Sequence, residues 1–211
     1  MAFDRPAVFA DTNALVPAAL RDILIEMALD DLISLSWSPQ VMVELRRVLL
    51  RRPKAQAARI DSMLAAMTAT LSSSNVEPTP RELLGTMPDP VDIPILLAAL
   101  AADCSVLLTF NLKDFPASQV RLNSDRLTPI HPDAFIVHML TTHPTAVLAI
   151  VQRIIDGLVQ HPLSTDAYLT NLSNSGLPNS AALLRPLMMR WPLKIDWDKS
   201  DSVSPIAAGS H

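Results

Sequence analysis

The chain has 211 residues, enough to bury a core in one medium domain or in one domain with a small appendage. Hydrophobic residues make up 49% and charged residues 18%, yet no run reaches the roughly 18 apolar residues a membrane span needs, so no membrane role is expected. The net charge of −4 argues against a broad nucleic-acid-coating surface and leaves room for a local basic patch beside an acidic pocket.

The opening MAFDRPAVFADTN carries no basic n-region, no long apolar stretch and no small-residue cleavage site, so a cytoplasmic protein is expected. Cys104 is the single cysteine, which excludes an internal disulfide and a cysteine-based zinc cage, and its apolar surroundings mark it as a small buried hydrophobe. With 4 Gly and 18 Pro, the helices are punctuated by proline.

In chain order, Ala7–Ala10 reads as a short buried strand, and Asp11-Thr12-Asn13 as a turn able to cap the next helix. Apolar residues at helical spacing predict a helix from Leu15 to about Leu32, followed by a second strand at Ile33–Trp37. Ser38-Pro39 opens another helix, with Val41, Leu45, Val48 and Leu49 on one stripe, and Pro53 stops it. Lys54–Leu71 is helical again, Ser72–Asn75 is a polar loop, and Val76 falls in a possible minor strand. Asp92 opens an Ala/Leu-rich helix at Ile93–Asp103, and Ser105–Phe110 makes the third strong strand. Strand, helix, strand, helices, strand indicates an α/β fold with a parallel sheet flanked by helices. Past Pro129 the strand pattern ends, and helices at Asp133–Leu140, Thr145–Gln160, Thr165–Ser173 and Leu177–Met189 are set off by the steps His131-Pro132, His143-Pro144 and His161-Pro162. The expected organisation is a domain over residues 1–130, an all-helical extension over 131–199 and a polar tail over 200–211, whose last residues Gly209-Ser210-His211 read as an expression scar.

Three acids fall where this order brings them together: Asp11 at the end of the first strand, Glu44 on the helix after the second, and Asp92 before the third. Carboxylates gathered at the carboxyl ends of parallel strands repel one another unless a cation sits among them. Mg²⁺ or Mn²⁺ prefers oxygen ligands and keeps several waters, which suits hydrolysis of a phosphodiester without a covalent protein intermediate.

The motifs ADTN (Ala10–Asn13), SPQVMVEL (Ser38–Leu45), PDPVDIPILLAAL (Pro88–Leu100) and TFNLKDFP (Thr109–Pro116) resemble, in order and spacing, those of PIN-domain nucleases over roughly residues 6–137. The HPDAF of His131–Phe135 and the later HPLSTDAYLTNLSNSGLP resemble the helical C-terminal extension of a longer subgroup of VapC-like toxins. The resemblance implies a Mg²⁺- or Mn²⁺-dependent endoribonuclease with metal ligands Asp11, Glu44 and Asp92, and Asp114 as a further catalytic acid. It implies pocket-shaping roles for Asn13, Ser38 and Thr109, with Asp89 one step removed from the ion. Asn111 also belongs to the pocket, and it stands where many relatives carry another acid, which points to one tightly held ion. RNA as substrate, a cognate antitoxin protein as inhibitor, and a homodimer are implied likewise.

Each residue also has a plainer use. Asp11 and Asp92 suit helix N-caps, Glu44 a solvated helix position, and Asp114 a brace for the loop Asn111–Pro116. The basic run Arg46, Arg47, Arg51, Arg52, Lys54 and Arg59 contains no acid; its arginines at 46, 47, 51 and 52 are candidates for RNA phosphate contact, and the alternatives are a solvated face or a surface for an acidic antitoxin segment. Trp191 and Trp197 are candidates for clamping the extension onto the main domain. Two rivals to a toxin remain at this stage, an RNA-processing nuclease and a PIN scaffold that binds RNA or protein without cleaving; the neutral Asn111 favours the latter.

Overall fold

A computed structural model describes residues 5–160 and 162–191. His161, Trp197, the end of the expected extension (192–199) and the expected polar tail (200–211) lie outside the described residues.

Strand β1 (Ala7–Ala10) has Val8, Phe9 and Ala10 completely buried, as a parallel strand covered on both faces requires. Asp11 ends it and caps a one-turn helix α1 (Thr12–Leu15), accepting from the Thr12 N–H at 2.6 Å. The single helix expected from Leu15 to about Leu32 is divided. Pro17 has no N–H to give the preceding turn, so the chain restarts as α2 (Ala18–Leu29). Strand β2 (Ser34–Ser36) follows, and then α3 (Pro39–Leu50), where Pro39 stands in the first turn and the Ser38 hydroxyl accepts from the Val41 N–H at 3.3 Å. Lys54, with left-handed backbone (φ 61°), turns the chain into α4 (Ala57–Thr70). The loop beyond α4 adds a parallel bridge from Asn75 to Trp37. Helix α5 (Ile93–Ala101), strand β3 (Val106–Leu108) and helix α6 (Ala117–Arg121) come next.

A fourth strand, β4 (Thr128–Ile130), corrects the three-strand expectation. Its central Pro129 hides it in the sequence, because proline lacks the N–H a central strand needs. The strand lies at the sheet edge with β3 as its one neighbour, where a missing donor is tolerated.

All neighbours pair in parallel in the order β2-β1-β3-β4, with Ala7 opposite Ser34 and Ala10 opposite Leu108. The chain leaves β1 to one side for β2 and later returns on the other side for β3. The sheet therefore switches direction between β1 and β3, and a crevice opens beyond their carboxyl ends.

The C-terminal region is all helical: α7 (Pro132–Thr142), α8 (Pro144–Asp156), α9 (Thr165–Asn174) and α10 (Pro178–Met188). Helices α8 and α9 pack on α2, whose Leu20, Ile23, Leu24 and Met27 are buried, and Val147, Ile150, Leu172 and Leu184 join Val8 and Phe9 in one continuous core. Trp191, an expected clamp, packs partly buried against that core. Arg153 reaches Glu26 at 2.7 Å and Asp30 at 2.9 Å across this junction, but exposed pairs of this kind contribute about 1 kcal/mol or less, so apolar burial holds the contact. No single helix among the described residues is long and apolar enough to cross a membrane.

Within the helical region, Asp133 on α7 is buried and ties the start of α10. One oxygen accepts from the Ser180 N–H at 2.8 Å and the Ser180 hydroxyl at 2.6 Å; the other accepts from the Asn179 N–H at 3.0 Å and the Asn179 side-chain amide at 2.8 Å. Burial alone would raise this carboxyl, and the four donors hold it below the ordinary carboxylate range. Asp133→Ala is expected to destabilise the protein by about 2–4 kcal/mol, since charged hydrogen bonds are lost and buried donors are left without partners. A carboxyl depressed in the fold contributes stability above the unfolded pKa and loses it as pH falls through the lower folded value. Urea melts at pH 7 and pH 3 should therefore show the gap between variant and wild type narrowing in acid; an equal gap at both would mean that the charge plays no part.

Candidate active site

Beyond the carboxyl ends of β1 and β3 lies a cleft of about 370 Å³ whose walls include Asp11, Glu44, Asp92 and Asp114, together with Thr12, Asn13 and Asn111. Asp11 arrives from the end of β1, Glu44 from the middle of α3, Asp92 from the start of α5, and Asp114 from the loop after β3. The apolar Val16, Val48 and Ile95 complete the lining.

Asp11 is the most firmly held. One oxygen accepts from the Thr12 N–H at 2.6 Å, and the other from the Asn13 side-chain amide at 2.6 Å and the Thr109 hydroxyl at 2.8 Å. Asn13 in turn accepts from the Phe110 N–H at 2.9 Å, and Thr109 accepts from the Asn111 N–H at 3.1 Å. Asn13 and Thr109 thus stitch the end of β1 to the end of β3 through the carboxylate. Burial pushes the Asp11 carboxyl upward against the pull of the Thr109 and Thr12 donors, and the charges of Glu44 and Asp114 push the same way.

Asp92 differs. It stands at the N-cap of α5, but its side chain makes no capping hydrogen bond. Partial burial, then the charges of Asp11, Asp114, Asp89 and Glu44, raise it from 3.8 to about 6. The capping duty falls to Asp89, an exposed residue that accepts from the Val91 N–H at 2.9 Å. Glu44 is half-buried and accepts from Arg47 at 2.8 Å, so it is more than a solvated helix position. Asp114 both lines the cleft and braces its loop: it accepts from the Asn111 side-chain amide, and its own N–H donates to the Asn111 carbonyl at 3.0 Å.

The structure thus brings Asp11, Glu44, Asp92, Asp114, Asn13 and Asn111 to one cleft, with Thr109 behind Asp11. It does not bring Ser38 there; that hydroxyl is buried as the cap of α3. The four candidate arginines have separate surroundings. Arg46 forms a two-pronged pair with Asp61 at 2.6 and 3.2 Å, Arg47 holds Glu44, and Arg52 donates to the Val16 carbonyl at 2.9 Å. Arg51 is exposed. Thr12 is the cleft residue that sequence reasoning passed over as a mere turn position. It is buried, and its hydroxyl has no hydrogen-bond partner among the described residues. Its signal was its place in the first turn of a helix beginning directly at a strand end.

Oxygen donors line this cleft, with neither thiolate nor imidazole among them, which matches the preference of a hard divalent ion. Among the described residues no group of three or more His, Cys, Asp or Glu side chains stands, as placed, in an arrangement that would hold a metal ion. Carboxylate oxygens lining one open cleft are the donor type that Mg²⁺ or Mn²⁺, which keep part of their water shell, would take.

Residues 7–113 match the sequence model of the PIN domain, and residues 132–186 match that of the VapC50 C-terminal domain. Asp11, Glu44 and Asp92 lie inside the first match. Comparison with curated proteins and with solved structures gives no match.

The raised Asp92 carboxyl has a measurable cost. Because the folded protein keeps this proton to about pH 6 while the unfolded chain releases it near 3.8, stability falls as pH rises between those values and then levels off. Asp92 is only partly buried, so solvent screening trims the effect to on the order of 1 kcal/mol. Asp92→Asn should therefore melt with wild type at pH 4 and about 2–4 °C above it at pH 7.5, both in chelator. A variant melting below wild type at both pH values would make Asp92 a structural cap.

Proposed function

The chain belongs to the PIN-domain family, and from that premise we propose that it is a divalent-metal-dependent endoribonuclease, the toxin of a toxin–antitoxin pair. The observation that carries the proposal is the meeting of Asp11, Glu44, Asp92 and Asp114 in one cleft at the switch point of the sheet. Uncompensated, that many carboxylates only destabilise the fold; burial, and after it the charges of Asp11, Asp114, Asp89 and Glu44, raise Asp92 to about 6.

Asp11, Glu44 and Asp92 would hold Mg²⁺ or Mn²⁺, which when bound supplies a polarised water and charge relief for displacement at the phosphodiester. The protein's own groups set this up. Asp11 is fixed in orientation by donors on both oxygens and retains lone pairs for a ligand. Asp92 makes no capping hydrogen bond and sheds its proton as pH rises through about 6, so near neutrality it adds its own negative charge to the cleft and favours a cation there. Asn111 aims Asp114 by donating to it, and as a neutral amide it leaves the charge needed for a second tightly held ion unfilled.

The match to the VapC50 C-terminal domain supports the toxin assignment and with it an antitoxin partner, a homodimer and a cytoplasmic location. Val91 and Leu112, next in sequence to Asp92 and Asn111, are exposed apolar side chains beside an acidic cleft, a surface suited to being covered by a protein. The neutral Asn111 favours one rival, a PIN scaffold that binds RNA or protein without cutting.

Cleavage of RNA by the purified chain should require Mn²⁺ or Mg²⁺ and stop in EDTA. Glu44→Gln and Asp92→Asn should each lower the rate by more than about 100-fold, the upper end of what losing a supporting group beside a metal costs. Absence of cleavage by wild type at any Mn²⁺ concentration would leave the scaffold standing. Growth arrest on expression of wild type but not of Asp92→Asn separates a toxin from a processing nuclease. Asn111→Asp should lower the Mn²⁺ concentration giving half-maximal cleavage, and an unchanged midpoint would show that Asp114 already supplies the missing charge.

A further inference from the structure

A second cleft, of about 410 Å³, lies between α2, the end of α3 and the start of α4; Arg21, Arg52, Lys54 and Arg59 line it with the apolar Ile60 and Met63. Among the described residues no acidic one lines it. Arg21 is only 8% exposed, an unusual place for a guanidinium; it donates to the Leu15 carbonyl at 2.9 Å and lies 4.0 Å from Asp22. Arg52 is near enough to oppose the Arg21 charge. The side chains of Lys54 and Arg59 make no ion pair or hydrogen bond among the described residues, whereas Arg46 and Arg47 are engaged by Asp61 and Glu44. The basic run of α3 and α4 is thus divided into a neutralised part and a part gathered, with Arg21 from α2, around one cleft.

We propose that this cleft binds backbone phosphates of the RNA strand at positions beyond the scissile bond. Guanidinium groups that face one another in a concave, acid-free surface are relieved by an anion, and arginine forks match phosphate oxygens. The two clefts share a wall: Val16 lines the acidic one, while Arg52, lining the basic one, is bonded to the Val16 carbonyl at 2.9 Å. A strand held in the basic cleft is therefore delivered beside the carboxylates. This placement is also what a nuclease with an acidic pocket needs, since that pocket by itself repels a polyanion. The proposal takes the identity of the strand from the nuclease assignment and its location from the cleft.

Binding of a fluorescent single-stranded RNA to the full chain, in EDTA and over a range of salt, tests it. Lys54→Asn combined with Arg59→Gln removes two exposed charges, and asparagine tolerates the left-handed backbone at position 54. Two lost phosphate contacts should flatten the slope of log affinity against log salt by about 1.4, at about 0.7 each for single strands. A charge-matched control, Arg121→Gln with Arg190→Gln, alters exposed residues outside both clefts and should keep the wild-type slope. An unchanged slope in the cleft variant, or an equal loss in the control, overturns the proposal even if wild type cleaves RNA with Mn²⁺. A flattened slope in the cleft variant alone upholds it even if wild type never cleaves, in which case the nuclease assignment falls by itself. An unchanged RNA slope together with lost binding of a glutamate-rich peptide would reassign the cleft to an acidic protein segment.

Discussion

Like charges confined in one cleft set the conditions that the rest of this molecule satisfies. The backbone fixes the confinement: Ala10 and Leu108 are in register, the Asp11 N–H bonds the Leu108 carbonyl at 3.0 Å, and both strands are buried. Asp11 cannot move without breaking the sheet, so the charge that Glu44, Asp92 and Asp114 bring to it from α3, α5 and the loop after β3 must be accommodated around a fixed carboxylate. Two solutions coexist within the one cleft. Asp11 is stabilised by donors from Thr12, Asn13 and Thr109, whereas Asp92 has none and keeps its proton to about pH 6. The consequence is that the two acids respond differently to the same chemical change. An amide at position 92 relieves repulsion; an amide at position 11 would turn its NH₂ toward groups that already donate to both oxygens, so it forfeits structure along with charge.

The helical extension belongs to the same construction. Phe110, between Thr109 and Asn111, lies edge-on against His131 with ring centres 5.0 Å apart. Its ring also fills the space over Gly176, where an added Cβ would come within 2.7 Å of it, and Gly176 has a φ of +93° that few other residues adopt. Both neighbours lie in the C-terminal helical part of the chain. The segment that carries Thr109 and Asn111 is thereby backed by residues the nuclease half does not supply, and α2, which lies between the sheet and the extension, has its apolar face covered by α8 and α9. Apolar packing beside a polar site keeps its carboxylates from relaxing away from each other, which is how a repulsive cluster retains its geometry.

What the sequence made legible was local chemistry with a strong period or a clear boundary. The three apolar strands, Ser38 as a cap, Asp11 and Asp92 at element boundaries and Glu44 on the helix after the second strand all follow from patterns over a few residues. What it hid depends on partners distant in the chain. β4 is unreadable because Pro129 contradicts a strand unless the edge position is known. Pro17 splits a helix whose apolar spacing runs on regardless. Asp92 kept a plainer reading as a helix cap, and only the structure shows that Asp89 makes the capping hydrogen bond while Asp92 makes none. The arginines read as one basic stretch, because nothing in a linear run reveals that Asp61 and Glu44 engage Arg46 and Arg47, or that Arg21 joins Arg52 from another helix.

Net charge is consequently a poor guide to this protein, and the reason is spatial. A sum of −4 conceals an acidic cleft and a basic one that meet at Val16. The field near a surface is governed by the nearest unscreened groups, since ionic strength cuts off contributions beyond roughly 8–10 Å. A polyanion approaching the acids alone meets repulsion; approaching along α2 and the turn from α3 to α4, it meets Arg52, Lys54 and Arg59 first. The link between the two clefts through Val16 also limits how far either cluster can be strengthened. Cations closer to the carboxylates would pair with them and take the place intended for a metal ion, as Arg47 already does in part with Glu44. Keeping Arg52 bonded to a neutral backbone carbonyl rather than to an acid preserves both fields at once.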